Sequence, residues 1–252
     1  MTNILYIFEM TSILYILFST SKQNLNLVFI IPYIASKLIL MNNALSDIKS
    51  IERAFYSDGF RLGTIAAKKL KSGSLFFDEI KEMYQLLDSM IDSFSSFATQ
   101  QKQKIDCKKG CSWCCHQPVF AMDYELDYLN AFIKKNFTES KLNIVREKAR
   151  IKNEKLDTLE NEALLNSKFP CPLLEDGACI AYEARPVACR IYLSKNVNSC
   201  IHFYNIPEDK TSFPELLDLP MRVGRMTNEG FKAALKTSGL KPAEFRIDEK
   251  LL

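Results

Sequence analysis

The chain reads as a mainly α protein, a helical body with an irregular, cysteine-rich metal-binding insert and one short β-hairpin. Three observations carry this reading. Apolar residues on either side of the middle recur at helical spacing, and nowhere do strands and helices alternate. The run Cys107-Lys108-Lys109-Gly110-Cys111-Ser112-Trp113-Cys114-Cys115 packs four thiols into nine residues. The other four cysteines, Cys171, Cys179, Cys189 and Cys200, all lie downstream of it.

At 252 residues the chain is long enough to bury a sizeable core. Its 47% apolar and 25% charged content is that of an ordinary soluble protein. The net charge of +3 comes from dispersed basic residues, so nothing points to nucleic acid or an anionic membrane surface. A cytoplasmic location is expected.

Residues 1–40 differ from the rest. They hold two apolar runs, residues 4–18 and 25–40, each short of the roughly 20 residues of a spanning helix. There is no basic n-region and no small-residue cleavage site. The stretch has no Gly, no Asp and one Glu, the composition of AT-rich DNA read through by accident. It reads as a mis-assigned start, with Met41 the true one, or as a membrane anchor or buried helix. A membrane is a partner only if this extension is genuinely translated. The expected organisation is therefore an extension (1–40), N-terminal helices (41–104), a cysteine-cluster domain (105–205), and a helical tail packing on it (206–252).

Ser46 or Asp47 is expected to cap a first helix bearing Ile48, Ile51, Phe55, Leu62 and Ile65. Gly59 and Gly63 should kink or break it, and the 71–74 loop should end it. A second helix is predicted over 76–101, its stripe made of Ile80, Met83, Leu86, Leu87, Met90, Ile91, Phe94 and Phe97. Asp123 should cap a third, with Leu126, Leu129, Phe132 and Ile133 inward. Residues 139–166 read as a charged, solvated helical segment with a narrow apolar face of Leu142, Val145, Ala149, Leu156, Leu159 and Ala163. Glu175-Asp176-Gly177 signals a tight turn closing a hairpin. Arg185-Pro186 should start a helical turn through Cys189 and Arg190. In the proline-rich tail one helix is expected over 227–237, ending near Gly239.

Eight thiols beside only two histidines point to a thiolate metal site. Zinc takes four ligands in a tetrahedron, and soft thiolates also select iron–sulfur clusters. Eight cysteines could fill two four-thiolate sites, or one cluster with thiols in reserve. All eight, Cys107, Cys111, Cys114, Cys115, Cys171, Cys179, Cys189 and Cys200, are candidate ligands for zinc or iron, the latter including a 4Fe–4S cluster. If the run leads into a helix, Cys111 and Cys115 share one face. Lys108, Lys109, Arg185 and Arg190 would offset the negative charge of the bound thiolates. Disulfides are the competing reading, with on the order of 100 connectivities that spacing alone does not resolve.

Cys107-x3-Cys111-x2-Cys114 also resembles the radical S-adenosylmethionine signature. That resemblance implies a barrel of repeated βα units, and here the motif follows a long amphipathic helix with no such series after it. The wider pattern is similar to the YkgJ-like cysteine-cluster family. The residues that carry the likeness are the four clustered cysteines, Pro170-Cys171-Pro172-Leu173-Leu174, Gly177-Ala178-Cys179-Ile180-Ala181-Tyr182, Arg185-Pro186-Val187-Ala188-Cys189-Arg190 and Cys200. The gap from Cys107 to Cys111 is one residue wider than the family's pattern. The family resemblance implies chelation of zinc or iron by the eight cysteines. A branch of it resembles flagellin lysine-N-methylases and implies a methyltransferase, although the chain has no Gly-rich loop after a strand.

Among other candidates, His116 reads as a loop histidine packing beside the site, and His202 as less involved still. Trp113 should wall water off from the metal. Two function classes follow: a binding or structural protein whose metal holds the insert, or an enzyme, an iron–sulfur oxidoreductase or a lysine methyltransferase-like protein, with an open coordination position.

Overall fold

The computed structural model describes residues 27–209 and 211–251, so the apolar run at 4–18 lies outside the described residues. Contacts divide the chain into two compact units, residues 1–54 and 55–252, and every cysteine belongs to the second. Among the described residues there are eight α-helices and only short strands, the mainly α class that the periodicity predicts. No helix of the described residues is long and apolar enough to cross a membrane.

Helix α1 (Leu27–Lys71) is followed by α2 (Phe77–Gln100), the cysteine run, strand β1 (Phe120–Met122), and helices α3 (Asp123–Asn136), α4 (Glu139–Leu156) and α5 (Asn161–Asn166). Strands β2 (Leu174–Glu175) and β3 (Ala178–Cys179) then form the hairpin. Helices α6 (Val187–Ile191), α7 (Val197–Asn205) and α8 (Asp218–Thr237) come next, and β4 (Glu244–Arg246) pairs antiparallel with β1.

Two apolar cores result. In the first, Leu62 and Ala66 of α1, Ile80, Met83 and Leu87 of α2, and Val223, Phe231 and Leu235 of α8 pack with Val187 and Ile191 of α6. In the second, Leu126, Leu129 and Ile133 of α3 meet Leu142, Val145 and Ala149 of α4, with Leu173, Ala181 and Ile247 between them.

Several expectations are corrected. Neither Ser46 nor Asp47 caps α1, because the helix is already running from Leu27. Nor is it broken at Gly59 or Gly63. A Cβ on Gly59 would stand 1.9 Å from the Thr227 carbonyl oxygen, and one on Gly63 2.5 Å from that of Phe231. These glycines let the α8 backbone lie against α1, so they mark a crossing rather than a kink. Ile65 is exposed and Ala66 takes the buried position. The 139–166 segment is two helices. Asp157 leaves the first to pair with Arg246 at 2.9 Å, and the Thr158 hydroxyl donates to the Lys155 carbonyl at 2.8 Å. Helix α8 starts nine residues before the expected Thr227, since Pro220 falls in its first turn, where backbone N–H groups have no intrahelical acceptor anyway.

The hairpin forms where the turn signal puts it, with Asp176 and Gly177 both at positive φ (47° and 75°), the geometry of a type I′ turn. Asp123 does not cap α3 as expected: Met122 holds the cap position and Asp123 is the first helical residue, its carboxylate accepting instead from Ala243 N–H at 3.1 Å and fastening the C-terminal strand beside β1.

Candidate metal centre

The cysteine run is a loop rather than a helix. Cys111 N–H donates to the Lys108 carbonyl at 3.0 Å, and the turn passes through Gly110 at φ +92°, a conformation that L side chains avoid. Only Trp113–His116 is helical, as a single 3₁₀ turn. Cys111 therefore lies outside it, and the expected shared face with Cys115 does not form. The loop is latched to the segment before α7: Cys107 N–H donates to the Ser194 carbonyl at 3.1 Å, and the Asp106 carboxylate accepts from Val197 N–H at 3.0 Å. Lys104, 2.8 Å from Asp106, holds that carboxyl below its usual range.

The other thiols arrive on three further pieces of chain. Cys171 N–H donates to the Cys115 carbonyl at 2.7 Å, which docks the hairpin carrying Cys171 and Cys179 onto the 3₁₀ turn. Cys189 sits in α6, whose first N–H, on Val187, is met by the buried Glu125 carboxylate at 2.7 Å. Burial pushes the Glu125 carboxyl up, against hydrogen bonds from Val187, Met122 and Tyr84 that favour its ionised form. The Arg190 side chain, 1% exposed, donates to the Arg185 carbonyl at 2.8 Å, to the Glu183 carbonyl and to Asp88, and lies 4.1 Å from the Tyr84 ring centroid. It is the clamp that fixes the Cys189 turn against α2. Cys200 is buried in α7.

All eight cysteines are free thiols. Seven of them, all but Cys200, line one cavity of about 560 Å³ that is walled largely by apolar side chains. A second, much smaller void is lined by Cys107, Cys111, Cys114 and Cys200 together with Trp113 and Tyr192. Among the described residues, no three His, Cys, Asp or Glu side chains are already drawn together as a metal-holding group.

Electrostatics sorts the thiols further. Burial raises Cys189, and its thiol neighbours Cys171, Cys115 and Cys179 raise it further. Cys171 is pushed up to about 12 by burial, with Cys179 and Cys115 as its thiol neighbours. Burial also raises Cys107 and Cys200, and Cys107, Cys111 and Cys200 are neighbours of one another. Cys114 and Cys115 share a hydrogen bond that raises the first and lowers the second.

Two cations oppose these rises. Arg185 lowers Cys107, Cys179 and Cys189. Lys152 lowers Cys115 and Cys171. Lys152 escaped the sequence reading, which took its segment for a solvated face. Its side chain is only 5% exposed and lies 3.5 Å from the equally buried Asp248. The signal was available: Lys152 occupies the apolar stripe between Ala149 and Leu156. Of the other expected cations, Lys109 lies over the Tyr182 ring at 5.1 Å and Lys108 lines the large cavity.

The histidines have other engagements. His116 Nδ1 is 3.1 Å from the Ser112 carbonyl with its ring against Tyr204, and His202 Nε2 is 3.0 Å from Asp209. Trp113 packs on Tyr204, with ring centroids 5.2 Å apart, and closes one side of the small void.

The fold and the site define a helical protein with a thiol-lined cleft of reduced cysteines. Within it, residues 106–208 match the CxxCxxCC family model, described as "Putative zinc- or iron-chelating domain", which is consistent with the likeness to YkgJ-like proteins. No curated protein and no solved structure matches the chain. The donor set fits such a group: free thiols, a cavity beside them, and two partly or fully buried cations.

Proposed function

We propose that the chain is a metal-chelating protein in which Cys107, Cys111, Cys114, Cys115, Cys171, Cys179, Cys189 and Cys200 bind zinc or iron as thiolates. The observation that carries this reading is the convergence of seven thiols, from separate segments of chain, on one cavity. Bound metal would cross-link the loop, hairpin and α6 turn if it is zinc, and would add one-electron chemistry if it is an iron–sulfur cluster. The chain's own residues do the rest. Arg185 and Lys152 favour the thiolate forms, Arg190 and Glu125 orient the Cys189 turn, and Trp113 shields one side from water. Eight reduced thiols suit a reducing compartment such as the cytoplasm.

The test is metal analysis and visible absorption of anaerobically purified protein. Stoichiometric zinc in a colourless protein, or iron with broad visible absorption, supports the reading. A protein that holds neither metal and takes up neither would refute it. A second reading, an enzyme of the iron–sulfur oxidoreductase or lysine methyltransferase kind, is favoured by the cavity itself, whose 560 Å³ lies within the roughly 300–1,000 Å³ of small-molecule sites.

A further inference from the structure

We propose that the eight thiols form two centres of four, one from Cys107, Cys111, Cys114 and Cys200 and the other from Cys115, Cys171, Cys179 and Cys189. This rests on the reading that the domain chelates metal, and it assigns each thiol to a site. The first four are the thiols that line the small void, and they come from the loop, the 3₁₀ turn that follows it and α7. Those pieces are tied together by the Cys107–Ser194 and Val197–Asp106 hydrogen bonds. The second four come from the 3₁₀ turn, the hairpin and α6, and all line the large cavity without touching the small void. The Cys171–Cys115 backbone bond joins the hairpin to the turn.

Apart from Cys114, thiols close enough to interact fall into the same groups. Cys107 and Cys200 each have Cys111 beside them, while Cys171 and Cys189 each have Cys115 and Cys179. Cys114 is the joint, bordered by Cys107 on one side and by Cys115 and Cys189 on the other. Cys114 and Cys115 are hydrogen-bonded to each other, but consecutive residues of a 3₁₀ turn point about 120° apart, so side-chain rotation that breaks this bond turns them toward separate centres.

The two voids differ in size, although Cys107, Cys111 and Cys114 also border the large one. The small void measures about 10 Å³, room for roughly one water-sized atom, and Trp113 and Tyr192 complete its lining. That suits a single ion fully wrapped by thiolates, the closed form of structural zinc sites. The second four border only the large cavity, where a further ligand or a polynuclear cluster has space.

The full-length protein, stripped of metal anaerobically, would be titrated with cobalt(II) while thiolate-to-cobalt charge-transfer absorption is followed. Two equivalents, each with a tetrathiolate spectrum, are expected. Cys200→Ala and Cys189→Ala should each bind one equivalent, and the double variant none. One equivalent in the wild-type chain, or loss of both equivalents in a single variant that keeps wild-type helicity, overturns the division while leaving chelation intact. No cobalt uptake by the wild-type chain defeats chelation itself, and with it the division. Because the wild-type titration needs no substitution, a variant that fails to fold leaves the test standing.

Discussion

Replacing Gly230 by alanine tests whether the crossing of α1 and α8 is a backbone-to-backbone contact. A Cβ there would lie 2.1 Å from the Tyr56 carbonyl oxygen and 2.9 Å from the Phe60 nitrogen. Both obstacles are main chain of a helix, so no side chain can swing aside. The two helices must part by more than an ångström before an ordinary contact of 3.4 Å is restored. Overpacking of this kind costs about 1–3 kcal/mol or more, and a gap near 1 Å forfeits much of the dispersion holding Leu62, Ala66 and Phe231. Alanine returns about 1 kcal/mol of helix propensity. The expected net loss is therefore on the order of 2–4 kcal/mol.

Urea unfolding of the metal-loaded protein measures it, with free metal held constant because bound ligand shifts the apparent stability. Gly59→Ala should cost a similar amount, since its Cβ would meet Thr227 across the same contact. The double variant should lose about 1 kcal/mol or more less than the sum, because helices already parted for one methyl accommodate the second. Gly73→Ala is the control for φ alone: Gly73 is at φ +74° with nothing within 4 Å of its Cβ position. A Gly230→Ala protein as stable as wild type would refute the close crossing.

Lys152→Met removes the cation beside Cys115 and Cys171 while Asp248 keeps Arg246 at 3.1 Å. Metal affinity by chelator competition should fall about 10–100-fold, the usual effect of losing a group that supports the ligands, and unchanged affinity would remove Lys152 from the site. Burial raises the pKa of Cys107, Cys171, Cys179, Cys189 and Cys200, so these thiols are protonated near neutrality and binding must expel their protons. Affinity should then rise as pH rises, by about tenfold per unit for each proton released, and a flat profile between pH 6 and 8 would contradict the buried thiols. Glu125→Leu removes the acceptor of the Val187, Met122 and Tyr84 donors, and should cost about 1–3 kcal/mol or more in urea unfolding, with faster exchange of the Val187 amide. Wild-type stability with wild-type exchange would show that Glu125 does not hold the α6 turn.

What the sequence made legible was local. The first half of the α2 stripe (Ile80, Met83 and Leu87), the Asp176-Gly177 turn and the short helix after Pro186 each follow from residues a few positions apart and appear where expected. Leu86, Ile91, Phe94 and Phe97, by contrast, are only partly buried. The β1–β4 pair was not legible, because three-residue strands about 120 positions apart carry no periodicity and are fixed only by the fold. Gly59 and Gly63 misled for a related reason. Their cost to an isolated helix is visible in sequence, but the partner backbone that makes it worthwhile belongs to α8. The cysteines announced themselves through spacing. Their supports did not, because Lys152 and Glu125 are ordinary surface residue types until the fold buries them.

The way those supports are arranged bears on what metal does for the fold. Small zinc domains without a core unfold when metal is removed, since binding free energy is their folding free energy. Here the two apolar cores are built mainly from α1, α2, α3, α4 and α8, and the thiol-bearing pieces are fastened to them by contacts that need no metal. Ser194 holds the loop at Cys107, Glu125 and Arg190 hold the α6 turn, and Leu173 and Ala181 seat the hairpin in the second core. The helical body therefore presents the thiols to metal rather than relying on metal to assemble them. Binding energy not spent on folding the helices remains available to draw the thiols from the walls of a roomy cavity into coordination, so the loop and hairpin, rather than the helices, should respond to metal.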